Sequence, residues 1–297
     1  MRTYSIKELE NLSGTKAHTI RIWEQRYSLL NPSRTETGIR FYNDADLKKI
    51  LATSVLLKNG VKISKIALLS QYEILLKLEE IDQNSKITDS KIELAINKLI
   101  EAGIAFDENS LQKEFDKLVT LFDTQKLFIL IVYPLLNRIG IMWSKDELSP
   151  LQEHFISIFI RQKIISSINK LPACDQNAKK IVLFLPENET HEIGLLLANY
   201  IFKSHNIKTI YFGQQVPISN LIEFINQFRI KHAFGFIFYS HGKNKLNSIL
   251  NSLNENCKKT HFYWAGYLPK DIEILHNQTL VSSIENIEDI IKIVKND

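Results

Sequence analysis

The sequence predicts a multidomain protein of α and α/β class, in which a small helical domain and a four-helix bundle precede a doubly wound parallel sheet. Three observations predict this order. Residues 1–70 carry twelve Lys/Arg and six Asp/Glu, a net charge of +6 in a chain whose formal charge is +4. Residues 89–170 place apolar side chains at helical spacing in four runs. From residue 180 onward, strand-like and helix-like segments alternate.

Composition narrows the class of protein. A chain of 297 residues is long enough for two or three domains, each with its own core. Cys174 and Cys257 are its two cysteines and lack a CxxC spacing, which argues against a disulfide framework and a zinc cluster. The N-terminus has no apolar signal-peptide core, and the apolar run 127–136 contains Pro134 and is too short to span a bilayer. We expect a cytoplasmic protein without membrane partners.

Two short helices open the chain. Ser5 and Glu8 form a capping box for a helix that ends near Leu12, and Gly14 supplies the turn before a second helix over about 16–27. This arrangement is a helix-turn-helix, whose second helix enters the major groove of DNA. The exposed positions of that helix carry groups suited to phosphates and base edges: Lys16, His18, Thr19 and Arg21.

A hairpin-like loop follows, punctuated by Pro32 and Gly38. Its arms carry Arg34, Arg40 and Tyr42. Asn43 is a suitable N-cap for a helix over 44–58, and 62–69 reads as a further short helix. A basic domain of this kind attached to a nearly neutral body suggests a nucleic-acid reader with a sensor.

The run from His18 to Tyr27, followed by Pro32-x-Arg34-x-x-x-Gly38-x-Arg40-x-Tyr42, resembles the winged helix-turn-helix of the MerR family. The resemblance covers about the first 70 residues, within a predicted domain 1–75. It implies a homo-oligomer, at least a dimer, on an inverted repeat of double-stranded DNA. The candidate DNA contacts are Lys16, His18, Thr19, Arg21, Tyr27, Arg34, Arg40 and Tyr42. Arg26 is open to two readings, as a DNA contact or as half of a salt bridge within the domain.

The middle of the chain is predicted to be a bundle, with domain bounds 76–174. Residues 72–88 are polar and mixed, which indicates a linker or a frayed helix end. Four amphipathic helices with short connections then predict a four-helix bundle. The predicted helices cover about 89–102, 110–122, 124–142 and 150–170.

Trp143 precedes Glu153-His154 at a spacing that resembles the helical cap of the CarH/LitR-type cobalamin-binding regulators. The resemblance implies that the Trp packs on the upper face of the cofactor and that the Glu and His line the same cavity. Taken alone, the set also fits a core tryptophan and an exposed helical pair. In light-sensing members a His that captures cobalt follows the Trp; Ser144 stands there, which puts light sensing in doubt unless His154 substitutes.

The last predicted domain, 175–297, alternates strands and helices and therefore forms a doubly wound parallel sheet with right-handed crossovers. Predicted strands cover 181–185, 209–212, 233–239, 261–264 and 279–281. Predicted helices cover about 192–204, 218–228, 243–254 and 284–294. A GxGxxG fingerprint is absent from the sequence, which argues against NAD or FAD.

Glu189, His191 and Gly194 follow the first strand of this domain, at the edge where open α/β sheets bind ligands. A His oriented by a carboxylate is a good metal ligand. The Glu-x-His-x-x-Gly spacing resembles the motif of Rossmann-like cobalamin-binding domains, which implies that His191 is the lower ligand of cobalt. The alternative is a histidine in an ordinary flavodoxin-like domain that binds nothing.

Further cofactor contacts follow from the same resemblance. Val216 and Pro217 lie in the loop after the second strand, and Ser240 ends the third strand. Ala265-Gly266 stands where the family has a Gly-Gly pair, and the extra methyl group narrows the tunnel for the nucleotide tail.

The sequence as a whole predicts a transcriptional regulator, not an enzyme: a repressor that senses cobalamin, most simply adenosylcobalamin, and through it light. The oligomer is a dimer or a tetramer. One alternative keeps the DNA-binding domain but has a degenerate sensor that responds to another ligand or a protein partner. A second is a corrinoid-carrying methyl-transfer module, although no domain is left over to bind a methyl donor or acceptor.

Overall fold

The computed structural model describes residues 3–35, 38–83, 89–144, 148–238, 243–267, 272, 274–281 and 286–297. The chain divides into two compact units, Met1–Ile158 and Phe159–Asp297. The division falls within one helix, Pro150–Asn169. The first unit contains the helices that precede it, and the second contains the parallel sheet.

The first unit begins with the predicted helix-turn-helix and hairpin. Its elements are α1 (Ile6–Ser13), α2 (Ala17–Tyr27), β1 (Ser33–Arg34), β2 (Arg40–Phe41), α3 (Asp44–Lys58) and α4 (Ile63–Ile66). The capping box of Ser5 and Glu8 is present, and Asn43 forms a second one with Asp46 at the start of α3. Gly14 ends α1 in the left-handed region, with φ of 69°, which is the conformation that glycine adopts without a steric cost.

Of the two alternatives for 72–88, a linker or a frayed helix end, the linker is wrong for the first part of the segment. Residues Gln71–Gln83 form a regular helix, α5. Ile74 and Ile81 are buried and pack with the apolar face of α3, because residues four and seven apart share one side of a helix. Residues 84–88 lie outside the described part of the chain.

The four predicted bundle helices are confirmed, with one irregularity. They are α6 (Asp89–Ile104), α7 (Glu108–Leu121), the stretch made of α8 (Thr124–Leu127) and α9 (Tyr133–Trp143), and α10 (Pro150–Asn169). A π-helical segment, Phe128–Val132, joins α8 to α9. Pro134 explains this segment. Its nitrogen carries no hydrogen to donate to the carbonyl one turn earlier, and the wider π-helical turn accommodates its ring.

The stretch Thr124–Trp143 is, by length and composition, apolar enough to cross a membrane. The core helix of a soluble protein passes the same test. In the first unit this stretch buries one apolar face completely, through Leu127, Phe128, Ile131, Val132, Leu135 and Met142. We therefore interpret it as a core helix of the bundle.

The second unit is the predicted doubly wound sheet. Its elements are β3 (Lys180–Pro186), α11 (Glu192–Ser204), β4 (Lys208–Val216), α12 (Ile218–Phe228), β5 (His232–Phe238), α13 (Lys243–Asn256), β6 (His261–Tyr267), β7 (Gln278–Val281) and α14 (Asn286–Asn296). All strand pairs are parallel, in the order β4-β3-β5-β6-β7. The chain reverses its direction of winding between β3 and β5, and ligands bind such sheets at that switch point.

Candidate functional site

The loop after β3, at the carboxyl edge of the sheet, holds an ordered polar group. Glu189 is fully buried, and its Oε1 accepts hydrogen bonds from the backbone N–H of Thr190 (2.9 Å) and His191 (3.0 Å). The same oxygen lies 2.5 Å from Nδ1 of His191. The carboxylate therefore fixes the orientation of the imidazole, while 54% of the His191 side chain stays exposed. Because Nδ1 faces the carboxylate, Nε2 is the nitrogen that would coordinate a metal.

This donor set fits a metal that is already held by a macrocycle. One imidazole can supply one metal ligand, and the buried carboxylate behind it fixes the orientation of the ring. Among the described residues no cluster of three or more His, Cys, Asp or Glu side chains is arranged to hold a metal ion. A corrinoid supplies its own equatorial nitrogens, so His191 and Glu189 are the residues that would hold it from below.

Gly194, the glycine of the Glu-x-His-x-x-Gly motif, is required by the packing of α11 on the sheet. It lies in the first turn of α11, and a Cβ built there would come within 2.4 Å of Cε2 of Phe236 on β5. Only glycine lets the helix approach the sheet this closely. Since the loop of His191 runs directly into this turn, the approach of α11 sets the position of the imidazole at the sheet edge.

Two of the remaining predicted contacts lie beside that loop. Val216 is the register partner of Pro186, so the ends of β3 and β4 meet just before the loop, and Pro217 caps α12. Gly266 lies in β6 with φ of 106°, and a Cβ there would lie 2.1 Å from the carbonyl oxygen of Ile237. Ser240 lies outside the described residues.

The predicted cap residues belong to the first unit. Trp143 is the last residue of α9 and is 51% exposed, which does not match the alternative of a core tryptophan. Glu153 and His154 lie in the first turns of α10, with Oε2 and Nδ1 2.5 Å apart. Ser144 follows Trp143, and its hydroxyl donates to the carbonyl of Ile141 (2.8 Å). A hydroxyl is a far weaker cobalt ligand than the imidazole that it replaces.

One ordered group escaped the sequence reasoning. Glu192, the residue after His191, is the centre of a network with Arg161, Tyr211 and Gln214. Its partners lie far away in the sequence, so the spacing of residues gave no signal for it.

The predicted DNA-binding residues divide into an exposed group and a structural one. On α2, Lys16, His18 and Arg21 are exposed, and Thr19 and Tyr27 are partly so. Arg34 is exposed at the hairpin, where its guanidinium donates to the carbonyl of Gly38 (3.3 Å). These side chains suit contacts with phosphates and base edges. Arg26 lies with its guanidinium carbon 5.8 Å from the ring centre of Tyr27, a cation–π contact.

Tyr42 has a different role from the one expected. It is fully buried, its backbone pairs with that of Tyr4, and its hydroxyl donates to Glu24. Burial and this carboxylate raise the pKa of its hydroxyl. Glu24 also pairs with Nε of Arg40 (3.2 Å), so Tyr42 is placed to orient Arg40 through Glu24 and is not available as a surface contact.

Comparison with known families assigns two segments. Residues 4–73 match the MerR HTH family regulatory protein, and residues 95–165 match the B12 binding domain.

Among curated proteins, the chain is 30% identical over 222 residues to the HTH-type transcriptional repressor CarH of Myxococcus xanthus, which covers 74% of each chain. It is 40% identical over 73 residues to the HTH-type transcriptional regulator MlrA of Escherichia coli, which covers 25% of this chain and 30% of that protein. Among solved structures, the monomethylamine corrinoid protein of Methanosarcina barkeri matches with a TM-score of 0.56 at 13% identity, covering 67% of this chain and 96% of that one. This last likeness concerns the fold.

Proposed function

The chain belongs to the family of MerR-type, B12-binding transcriptional repressors represented by CarH, and we propose that adenosylcobalamin is the signal that it senses. It is a DNA-binding regulator, and its named relatives are regulators, not enzymes. We place its action in the cytoplasm, where its DNA and its cofactor are both accessible.

One observation carries the proposal within this chain. His191 is held by the buried carboxylate of Glu189 at the switch point of a parallel sheet. Cobalamin, when bound, would supply a cobalt ion that the imidazole of His191 could coordinate and that carries an exchangeable ligand. The chain's own part is to orient the imidazole, keep its Nδ1 engaged and present Nε2.

The upper face is assigned to Trp143, Glu153 and His154 as part of the proposal. The indole is half exposed at a helix end, and the imidazole of His154 is 71% exposed and paired with Glu153. Ser144 occupies the position at which light-sensing relatives have a second cobalt-binding histidine. We therefore propose that a response to light depends on His154.

Regulation requires that cobalamin distinguishes two arrangements of the protein that differ in operator affinity. We propose that the protein binds an inverted repeat as a dimer and that adenosylcobalamin favours the DNA-bound oligomer, a tetramer in the simplest case. A ligand with equal affinity for both arrangements would change nothing.

The deciding experiment reconstitutes the purified protein with adenosylcobalamin in the dark and records its visible spectrum and operator binding before and after illumination. We expect a stoichiometric corrinoid spectrum and tighter DNA binding with the cofactor than without it. DNA binding that is the same with and without cobalamin would support a degenerate sensor. Methyl transfer from the bound corrinoid to a thiol acceptor would instead support an enzyme module.

Arg21 provides a test of the DNA interface that does not depend on the cofactor. Arg21→Ala is expected to weaken operator binding by about tenfold and, if Arg21 contacts a phosphate, to reduce the salt slope by about one. Fluorescence anisotropy over a series of salt concentrations measures both. Arg229→Ala, an exposed arginine at the end of α12, is the matched control and should leave both unchanged. Equal effects of the two variants would contradict the assignment of α2 as the DNA-reading helix.

A further inference from the structure

Glu192 is a heavily hydrogen-bonded carboxylate next to the His191 loop. Its Oε2 accepts from Nε of Arg161 (2.8 Å) and from Nε2 of Gln214 (3.2 Å), and Nη2 of Arg161 lies 2.8 Å from the same oxygen. Its Oε1 accepts from the hydroxyl of Tyr211 (3.0 Å). Only 11% of its side chain is exposed. Burial and the nearby carboxylate raise the pKa of Tyr211, so its hydroxyl stays a donor.

The hydrogen-bond partners of Glu192 belong to two elements, α10 and β4. Arg161 belongs to the part of α10 in the second unit, and Tyr211 and Gln214 belong to β4. The register of β4 against β3 shifts between Leu183 and Phe184 and again before Pro186. Near these shifts Gly213 has φ of 76°, and a Cβ there would lie 3.6 Å from Oε1 of Glu192. The irregular end of β4, with its left-handed backbone at Gly213, brings Gln214 within hydrogen-bond distance of this carboxylate.

The backbone of Glu192 connects this network to the cobalt-ligand candidate. Its N–H donates to the carbonyl of Thr190 (2.8 Å), so the peptide that contains His191 is closed into a tight turn. Glu189 holds the imidazole from inside this turn, and Glu192 holds the turn itself to α10 and β4. The position of the ring therefore depends on two carboxylates that act from opposite sides.

We propose that Glu192 is a positioning residue for His191: through Arg161, Tyr211 and Gln214 it fixes the loop so that the imidazole is presented to the corrinoid cobalt. This inference rests on the proposed function, since it assigns a role at the same site. Loss of an orienting partner costs metal sites about 10–100-fold in affinity, which sets the expected effect.

If Glu192 acted only on its own helix, its replacement would have a smaller effect on cobalamin binding. An acidic residue in the first turn of a helix stabilises the positive end of the helix dipole wherever its side chain points. That effect does not require two donors from Arg161 or a hydroxyl from Tyr211. A role confined to the dipole would leave the geometry of His191 unchanged when the charge is removed.

The experiment compares the full-length protein with its Glu192→Gln and Tyr211→Phe variants. Cob(II)alamin binding is followed by absorbance titration, and the bound form by electron paramagnetic resonance, in which an imidazole nitrogen splits each cobalt line into three. We expect Glu192→Gln to bind about 10–100-fold more weakly and to lose part of the split signal, with a smaller loss for Tyr211→Phe. Glu223→Gln, an exposed carboxylate on α12, is the control and should match the wild type.

Amide hydrogen exchange in the cofactor-free protein separates this inference from the proposed function. Faster exchange at Thr190 and His191 in Glu192→Gln, with unchanged exchange in β3 and β5, supports the positioning role even if the wild type binds no cobalamin. If Glu192→Gln does not fold, Tyr211→Phe carries the test, because it removes one donor and no charge. Wild-type affinity, signal splitting and amide exchange in the folded variants would overturn the inference. Failure of the wild type to bind cobalamin would overturn the proposed function alone.

Discussion

Replacing His191 by Ala is expected to weaken cobalamin binding by more than the roughly 10–100-fold that the loss of an orienting partner costs. In the proposed function the imidazole is the coordinating group, so its removal would delete the bond to cobalt, whereas Glu189→Gln would weaken only its support. The expected order of affinity is wild type, then Glu189→Gln, then His191→Ala. Absorbance titration with adenosylcobalamin in the dark measures all three.

His205→Ala is the matched control for this series. His205 lies at the other end of α11, where its Nδ1 contacts the carbonyl of Ile201, so its removal tests the loss of an imidazole from the same helix. We expect its cobalamin affinity to equal that of the wild type. Binding by His191→Ala at wild-type affinity would show that the corrinoid is held elsewhere. The proposed lower ligand would then be wrong, although the fold would stand.

The sequence was most informative where one physical constraint acts on neighbouring residues. The run from Ile181 to Leu185 is fully buried because β3 is covered on both faces, and a strand of that kind has to be continuously apolar. The capping boxes at Ser5 and Asn43 were readable for the same reason, since donor and acceptor lie three residues apart. The Glu189–His191 pair is equally local.

Contacts between residues far apart in the sequence could not be predicted from it. The motif around Tyr42 resembles a DNA contact, but its pairing with Tyr4 and Glu24 buries it, and nothing in the spacing of these residues indicates that. Glu192 is similar, since Arg161 and Tyr211 reach it only after the sheet has formed. Helix α5 is a different case, because Ile74, Leu78 and Ile81 recur at helical spacing but the polar residues around them led to the prediction of a linker or a frayed helix end.

A buried ionic cluster in the first unit has the same long-range character. Glu93 on α6 is 7% exposed. Its carboxylate forms ion pairs with Nη2 of Arg138 on α9 (2.7 Å) and with Nζ of Lys58 on α3 (2.6 Å). Arg138 also donates to Asn97 (3.0 Å) and to the carbonyl of Leu12 at the end of α1 (3.4 Å). The cluster therefore ties two helices of the DNA-binding segment to two helices of the bundle.

The charges around Glu93 determine the direction in which folding shifts its pKa. Burial acts to raise the pKa of Glu93, but Arg138 and Lys58 outweigh it, so the pKa lies below the ordinary value for a glutamate. A carboxyl whose pKa is lowered by folding stabilises the folded state above its unfolded pKa of about 4.3. That contribution is lost as the pH falls through the lower, folded pKa. The cluster should accordingly stabilise the protein at neutral pH and fail in acid.

Glu93→Met is expected to lower the free energy of unfolding by up to about 3–5 kcal/mol at neutral pH, because it leaves the partly buried Arg138 without its carboxylate. Lys58→Met should cost only about 0–1 kcal/mol, since 47% of that side chain is exposed and water screens the pair. Urea unfolding followed by circular dichroism measures both. The difference between wild type and Glu93→Met should shrink below the pKa of Glu93.

The double variant Glu93→Met, Arg138→Gln decides whether the charge or the shape matters. It removes both charges of this pair, while the glutamine introduced at position 138 keeps an amide that can still donate to Asn97. Most of the stability lost in Glu93→Met should therefore return, because an uncompensated charge costs more than a neutral pair. A double variant as unstable as Glu93→Met would show that the packing of these side chains, not their charge, holds α6 and α9 to α1 and α3. Since Arg138 lies on the helix that ends at Trp143, operator binding by the stable double variant, with and without cobalamin, also measures how much of the response depends on this ion pair.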